Sequence, residues 1–302
     1  MKKDFISILD ISRDELNELI GTARRLKKER RIGVFHPYLS QKTLGMIFEK
    51  SSTRTRISFD VGMYELGGYA LFLNPKDMQL GRGEAIRDTA RVLSRFVSAV
   101  MIRANCHQDI LELAAHGDIP VINGLSDLEH PCQILADIMT IVEHLHRIEK
   151  VKVAWIGDGN NVCNSLILST ILTGMEVRVS SPPGYQPSET FVKKAKEQGA
   201  VVKVGENPFA AVKNADVVMT DTWVSMGQEK ETEEREKVFA AYQVNVNLME
   251  HAKPGAIVMH CLPAHRGYEI TDEVMDSNRS VVWDQAENRL HVQKALLLRL
   301  LA

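Results

Sequence analysis

Short apolar runs alternate with amphipathic segments of helical period along nearly the whole chain, and this is the pattern of parallel β/α units. The first apolar runs are Thr43–Phe48, Tyr69–Leu73, Ala99–Ile102 and Val121–Ile122. Helical patterns separate them at 52–66, 83–97 and 108–116, and another follows at 131–148. Ahead of the first run, Ser12-Arg13-Asp14-Glu15 reads as a capping box, with Leu16, Leu19, Ile20, Ala23 and Leu26 marking one helix face. Gly67-Gly68 supplies a helix stop. A second series of runs comprises Val151–Ile156, Glu176–Val179, Val201–Val204, Asp216–Thr220, Ala256–His260 and Val281–Trp283, and a last helix from Ala286 to Leu301 closes it. The charged stretch Glu143–Lys152 lies between the two series, so the reading is α/β with two mainly parallel sheets flanked by helices, divided at 149/150.

Composition narrows the functional classes. A chain of 302 residues has length for two domains with real cores. Lys plus Arg number 37 against 39 for Asp plus Glu, and this balance lacks the basic footprint of a nucleic-acid binder. No run is long and apolar enough for a membrane span, and Asp4 and Asp10 interrupt any signal-like core. Cys106, Cys132, Cys163 and Cys261 are widely spaced with no CxxC, which fits neither a zinc site nor a disulfide framework and points to reduced thiols in the cytoplasm. The run Gln228 to Lys237 reads as a solvated loop leading into a helix.

Ligands of parallel sheets bind beyond the carboxyl ends of the strands, so chemistry is sought there. After the first strand comes Glu49-Lys50-Ser51-Ser52-Thr53-Arg54-Thr55-Arg56. Ser52 suits a helix cap, the amides after it suit an anion, and Arg54 adds a fork of donors for phosphate. The next strand ends in Asn74-Pro75-Lys76-Asp77-Met78-Gln79-Leu80-Gly81-Arg82-Gly83-Glu84, which reads equally as a functional loop or a surface turn. The third strand ends at Arg103, and the fourth leads to His130-Pro131-Cys132-Gln133, with Pro131 fit for a first helical position. His130 there can donate to a carbonyl oxygen or move a proton, and Gln133 can present its amide to the same point.

In the second series, Gly157-Asp158-Gly159-Asn160-Asn161-Val162 only approaches the dinucleotide fingerprint, and no acidic residue ends the next strand at Ser180-Ser181. A small polar ligand held by Asn161 suits it better than a nicotinamide cofactor. Asp221-Thr222-Trp223-Val224-Ser225-Met226-Gly227 and His260-Cys261-Leu262-Pro263 are expected to face the first domain across a cleft, Asp221 offering an anion to an ammonium group and Cys261 a polarizable sulfur.

Together, Ser52-Thr53-Arg54-Thr55, Met78 to Glu84, His130-Pro131-Cys132-Gln133, Asp221 to Gly227 and His260-Cys261-Leu262-Pro263 resemble the aspartate/ornithine carbamoyltransferase family. Ser225-Met226-Gly227 and His260 to Pro263 point to its ornithine-using branch, and the likeness runs from the first helix to Ala302. The resemblance implies transfer of a carbamoyl group from carbamoyl phosphate to the side-chain amine of L-ornithine, giving L-citrulline and phosphate in arginine biosynthesis or breakdown. It implies that Ser52, Thr53, Arg54 and Thr55 hold the phosphate, and that Gln79 reaches the phosphate site of a neighbouring subunit. Arg103, His130 and Gln133 would surround the carbamoyl group, with Arg103, His130 and Cys261 catalytic. Asn161, Asp221, Ser225 and Met226 would hold ornithine, while Cys261, Leu262 and Arg289 line both ligands. The helix 285–302 would pack back on the carbamoyl phosphate domain, 1–149, leaving 150–284 as the ornithine domain. No cofactor, metal, nucleic acid or membrane is implied, and the assembly would be a homotrimer or a multiple of it.

The chemistry matches such a pocket. A dianionic donor calls for arginines and helix amides, and attack on its carbonyl builds charge on oxygen that preorganised donors stabilise. An amine of lysine-like pKa is mostly protonated near neutral pH, a penalty of about 4.6 kcal/mol, so the acceptor pocket must favour the neutral form. Putrescine or an acylated ornithine as acceptor, a dinucleotide-binding oxidoreductase resting on Gly157-Asp158-Gly159, and a non-catalytic paralogue are the competing readings.

Overall fold

The computed structural model describes residues 3–78, 83–224 and 231–302. The chain divides into two compact units, Met1–Ala136 with Glu287–Ala302, and Asp137–Ala286.

In the first unit, β1 (Thr43–Phe48), β2 (Tyr69–Leu73), β3 (Ala99–Arg103) and β4 (Val121–Leu125) form a parallel sheet of order β2-β1-β3-β4. Its helices are α1 (Arg13–Arg31), α2 (Thr53–Glu65), α3 (Ile86–Leu93), α4 (His107–His116) and the start of α5 (Pro131–Leu145). The capping box of α1 is closed: Glu15 N donates to Ser12 Oγ at 3.2 Å and Ser12 N to Glu15 Oε2 at 2.8 Å. The expected face of α1, Leu16, Leu19, Ile20, Ala23 and Leu26, is buried. After α2 the chain turns through Gly67 at φ +79°, where a Cβ would come within 2.7 Å of Pro37 Cβ, so both conformation and space require glycine. Every residue of β3 is buried, Arg103 included, which places that arginine at a sheet end rather than in solvent.

The second unit carries β5 (Lys152–Ile156), β6 (Glu176–Ser180), β7 (Val201–Gly205), β8 (Val217–Thr220) and β9 (Ile257–His260) in the parallel order β7-β6-β5-β8-β9. Its helices are α6 (Asn161–Thr173), α7 (Glu189–Glu197), α8 (Pro208–Val212), α9 (Thr232–Phe239), α10 (Val246–Met249) and α11 (Asp272–Met275). One sheet face packs on a core that includes Ile156, Val218, Trp223, Phe239, Leu248 and Val258. The later part of the charged run forms α9, and residues 228–230 of it lie outside the described ones.

The expected strand Val281–Trp283 does not form. A single bridge joins Ser280 to Val258, Val281 N donates to Val258 O at 3.0 Å, and α12 (Val282–Leu301) starts at once. At the β9 edge, His260 N finds its acceptor in the Gln285 side chain, 2.9 Å away, so no further strand is needed to satisfy it.

From Glu287 onward α12 belongs to the first unit, the expected return of the closing helix. Lys27 Nζ donates to Asn288 Oδ1 at 2.7 Å, Lys294 Nζ to Glu65 Oε2 at 2.6 Å, and Arg299 pairs with Glu15. His291 on the same helix is wholly buried, and burial, with smaller contributions from Lys27 and Lys294, pushes its imidazole down to about 4, although Glu287 acts in the opposite direction. Between pH 6.5 and about 4 the unfolded chain therefore takes a proton that the folded chain refuses. Wild-type protein loses up to about 3 kcal/mol relative to His291→Gln across that window, read as unfolding free energies at matched pH. An unchanged difference across the window would refute the burial argument. No helix among the described residues is long and apolar enough to cross a membrane.

Candidate active site

The strand order of the first unit reverses between β1 and β3, so its ligand crevice opens beyond Phe48 and Arg103, which pair in register. The first turn of α2 points into that crevice. Ser52 caps the helix, accepting from Thr55 N at 3.2 Å, and Thr53 and Arg54 stand in its first turn. A cavity of about 690 Å3 opens there, lined among others by Ser51, Ser52, Thr53, Arg56 and Asn105.

Thr55 is buried below the loop and is the hub of the polar contacts. Its Oγ1 accepts from Arg289 Nη2 at 3.1 Å and from Arg103 Nη1 at 3.4 Å. Arg289 Nη1 also donates to Gln133 Oε1 at 2.6 Å. Pro131 is the first residue of α5, as expected, which sets His130 just ahead of the helix and Gln133 within its first turn. His130 is 5% exposed. Its imidazole is held well below the usual histidine range, first by burial and then by Arg289, Arg103 and Arg54. At neutral pH it is an uncharged ring that donates one N–H. Arg103 and Arg289, joined through Thr55 Oγ1, and Arg54 in the first turn of α2 concentrate positive charge that acts on His130, an arrangement suited to an anion. Cys132 is buried, donates to Asn123 O at 3.4 Å and has a thiol pushed up to about 12 by burial, so it is a core residue.

In the second unit the strand order reverses between β5 and β8, and the crevice lies beyond Ile156 and Thr220. Asp221 follows β8 directly and is 7% exposed. Its Oδ2 accepts from Asn160 Nδ2 at 2.8 Å, and its Oδ1 from Cys261 Sγ at 2.9 Å and Thr222 N at 2.8 Å. Asn160 also caps α6, its Oδ1 accepting from Val162 N and Cys163 N, and Asn161 beside it is half-buried at the first helical position. Cys261 is partly exposed, and Leu262 after it sits at φ +61°. Leu262 N donates to His260 Nδ1 at 2.9 Å, so the ring proton of His260 is on Nε2, which donates to buried Glu269 Oε1 at 3.0 Å. Asp221, His260 and Cys261 bring possible metal-ligand atoms within 4.8 Å of one another. Both ring nitrogens of His260 are already engaged, so the trio is a hydrogen-bonded frame and not an open set of metal ligands.

The dinucleotide reading fails on space. A Cβ on Gly159 would lie 2.1 Å from Pro187 N and 2.4 Å from Gln186 C, and Gly159 N donates to Tyr185 O at 2.8 Å. The glycine admits the chain's own 185–187 segment, where a pyrophosphate would have to approach.

The first unit thus gathers Ser52, Thr53, Arg54, Thr55, Arg103, His130, Gln133 and Arg289, and the second gathers Asn161, Asp221, Cys261 and Leu262. Gln79, Ser225 and Met226 lie outside the described residues. Asn160 and Glu269 are absent from the expected site residues, and His260 is expected there only as part of the His260–Pro263 motif, with no role of its own. Asn160 carries a sequence signal, being an amide side chain just ahead of an apolar helix.

Residues 3–143 match the family model described as the carbamoyl-P binding domain of aspartate/ornithine carbamoyltransferase, and 149–300 match that of its Asp/Orn binding domain. The chain is 74% identical over 302 residues to an ornithine carbamoyltransferase of Methanospirillum hungatei, covering all of both chains. It is 60% identical to one of Methanoculleus marisnigri, covering 100% of this chain and 98% of that one. Among solved structures it resembles the ornithine carbamoyltransferase of Pyrococcus furiosus with a TM-score of 0.95 at 52% identity, over 99% of this chain and 97% of that one.

Proposed function

We propose, since the chain belongs to the aspartate/ornithine carbamoyltransferase family, that it transfers the carbamoyl group of carbamoyl phosphate to the side-chain amine of L-ornithine, releasing phosphate and L-citrulline. What carries this reading is the buried pair Arg103 and Arg289, both donating to Thr55 Oγ1 under the capped start of α2 at a sheet reversal point. Arg54 and the first turn of α2, with Ser52, Thr53 and Thr55, take the phosphate. Arg103 and His130 donate to the carbamoyl oxygen, with Gln133 beside them, held by Arg289. The neutral amine nitrogen attacks the carbonyl carbon, negative charge develops on its oxygen between those donors, the bond to the phosphate oxygen breaks with its electron pair going to that oxygen, and the leaving phosphate takes up the proton that the nitrogen loses. Asp221 and Asn161 orient the acceptor, Ser225 and Met226 contact its α-amino and carboxylate end, and Cys261 and Leu262 line both ligands.

The active form is a homotrimer or a multiple of it, with Gln79 completing the phosphate site of a neighbouring copy. Edge strand β2 exposes Tyr69, Leu71 and Phe72, and α2 exposes Ile57 and Tyr64, an apolar surface that a second copy would cover. Four free thiols suit a reducing, cytoplasmic setting.

Initial rates with carbamoyl phosphate and a panel of amines test the assignment. Ornithine is expected to exceed putrescine, N-acetylornithine and aspartate in kcat/KM by at least about thirtyfold, because losing a charged contact at one end of the acceptor costs about 2–3 kcal/mol. Equal use of putrescine or N-acetylornithine would overturn ornithine as the acceptor.

A further inference from the structure

We infer that Arg235 of α9 is a positioning residue for the acceptor pocket: its guanidinium ties the β5–α6 turn to the turn after β8, fixing Asn160 against Asp221. Arg235 is 3% exposed. Its Nε donates to Trp223 O, its Nη2 pairs with Asp158 Oδ2, and its Nη1 donates to Glu231 Oε2 at 3.3 Å. The planar group lies 4.8 Å from the centre of the Tyr185 ring and 5.5 Å from that of Phe239.

The two anchor points bracket the pocket. Asp158 stands two positions before Asn160, and Trp223 two positions after Asp221. Since Asn160 Nδ2 donates to Asp221 Oδ2, the contacts close a ring from Arg235 through Asp158, Asn160, Asp221 and Trp223 back to Arg235. The carboxylate that receives Cys261 Sγ and Thr222 N is one member of that ring. Asp158 has its backbone carbonyl taken by Trp155 Nε1 at 2.8 Å, and burial raises its carboxyl to about 6 even with Arg235 drawing it down, so it stays charged at neutral pH because the arginine is there. Burying a guanidinium is costly unless its donors are spent, and here they are spent on two turns at once. A lysine could pair with Asp158 but could not also hold the Trp223 carbonyl in a fixed plane against Tyr185.

This inference rests on the proposed reading only in naming ornithine as the acceptor. It is tested on the full chain with Arg235→Lys and with the uncharged pair Asp158→Asn/Arg235→Met, which leaves no unpaired buried charge should the single variant fold poorly. In both, KM for ornithine should rise about tenfold or more, because misplacing a contact group by a fraction of an ångström is enough for such a loss, while KM for carbamoyl phosphate stays within about twofold. Mass-mapped alkylation by iodoacetamide gives a readout free of activity. The rate at Cys261 should rise severalfold as its Asp221 acceptor shifts, with Cys106, in the other unit, unchanged. Wild-type KM for ornithine and an unchanged Cys261 rate in a folded variant would overturn the inference, as would equal losses for both substrates. A wild-type enzyme that makes no citrulline would instead overturn the proposed function, and the alkylation rates would still decide the role of Arg235.

Discussion

Arg103→Met lowers kcat/KM for carbamoyl phosphate by about two to three orders of magnitude, the loss typical of removing one donor to a developing oxyanion. Arg103 ends β3 at the sheet reversal, is 7% exposed, and shares Thr55 Oγ1 with Arg289. Methionine keeps much of the buried stem, so the variant should fold with little change in melting temperature, and the loss is chemical. Because His130 is neutral, its single N–H contributes a dipole to the same oxygen but cannot replace the positive charge. Steady-state rates at saturating ornithine check this. A decrease of less than tenfold would remove Arg103 from the oxyanion site.

Asp221→Asn lowers kcat/KM for ornithine by about two to three orders of magnitude and leaves the KM of carbamoyl phosphate near wild type. Donors from Asn160, Thr222 and Cys261 converge on this buried carboxylate. An asparagine offers one acceptor oxygen, and its NH2 turns toward at least one of those donors. Truncating one partner of a buried charged network costs about 2–5 kcal/mol, which spans that loss. The comparison is of both substrates' parameters in the same preparation. Equal loss for both substrates would mean that Asp221 serves the fold and not the acceptor.

Regular elements were largely legible because their signals are local. The Ser12 box, the α1 stripe and the strands from Thr43 to Leu73 are set by residues within a few positions of one another. Three apolar residues at Val281–Trp283 fit a strand as well as a helix start, and the side chain of Gln285 takes the β9 edge from within α12. Long-range polar pairings left no such trace. Arg235 stands in a run of charges that reads as a solvated loop leading into a helix, yet its partner Asp158 is 77 positions earlier. His260 appeared in the motif only as a neighbour of Cys261, and its role depends on Glu269 and on the backbone of Leu262. The Gly157-Asp158-Gly159 turn resembled a phosphate loop because close approach demands glycine whatever approaches, and here the approaching group is the chain itself.

The central claim, transfer of a carbamoyl group from the arginine-lined pocket to the amine of ornithine, is tested most directly with carbamoyl phosphate labelled with 13C at its carbonyl. Followed by NMR in the presence of L-ornithine, the label should appear in a ureido carbon bonded to the side-chain nitrogen, in step with phosphate release and abolished in Arg54→Ala. Release of phosphate with the label recovered as carbamate or bicarbonate, or on the α-nitrogen, would contradict it.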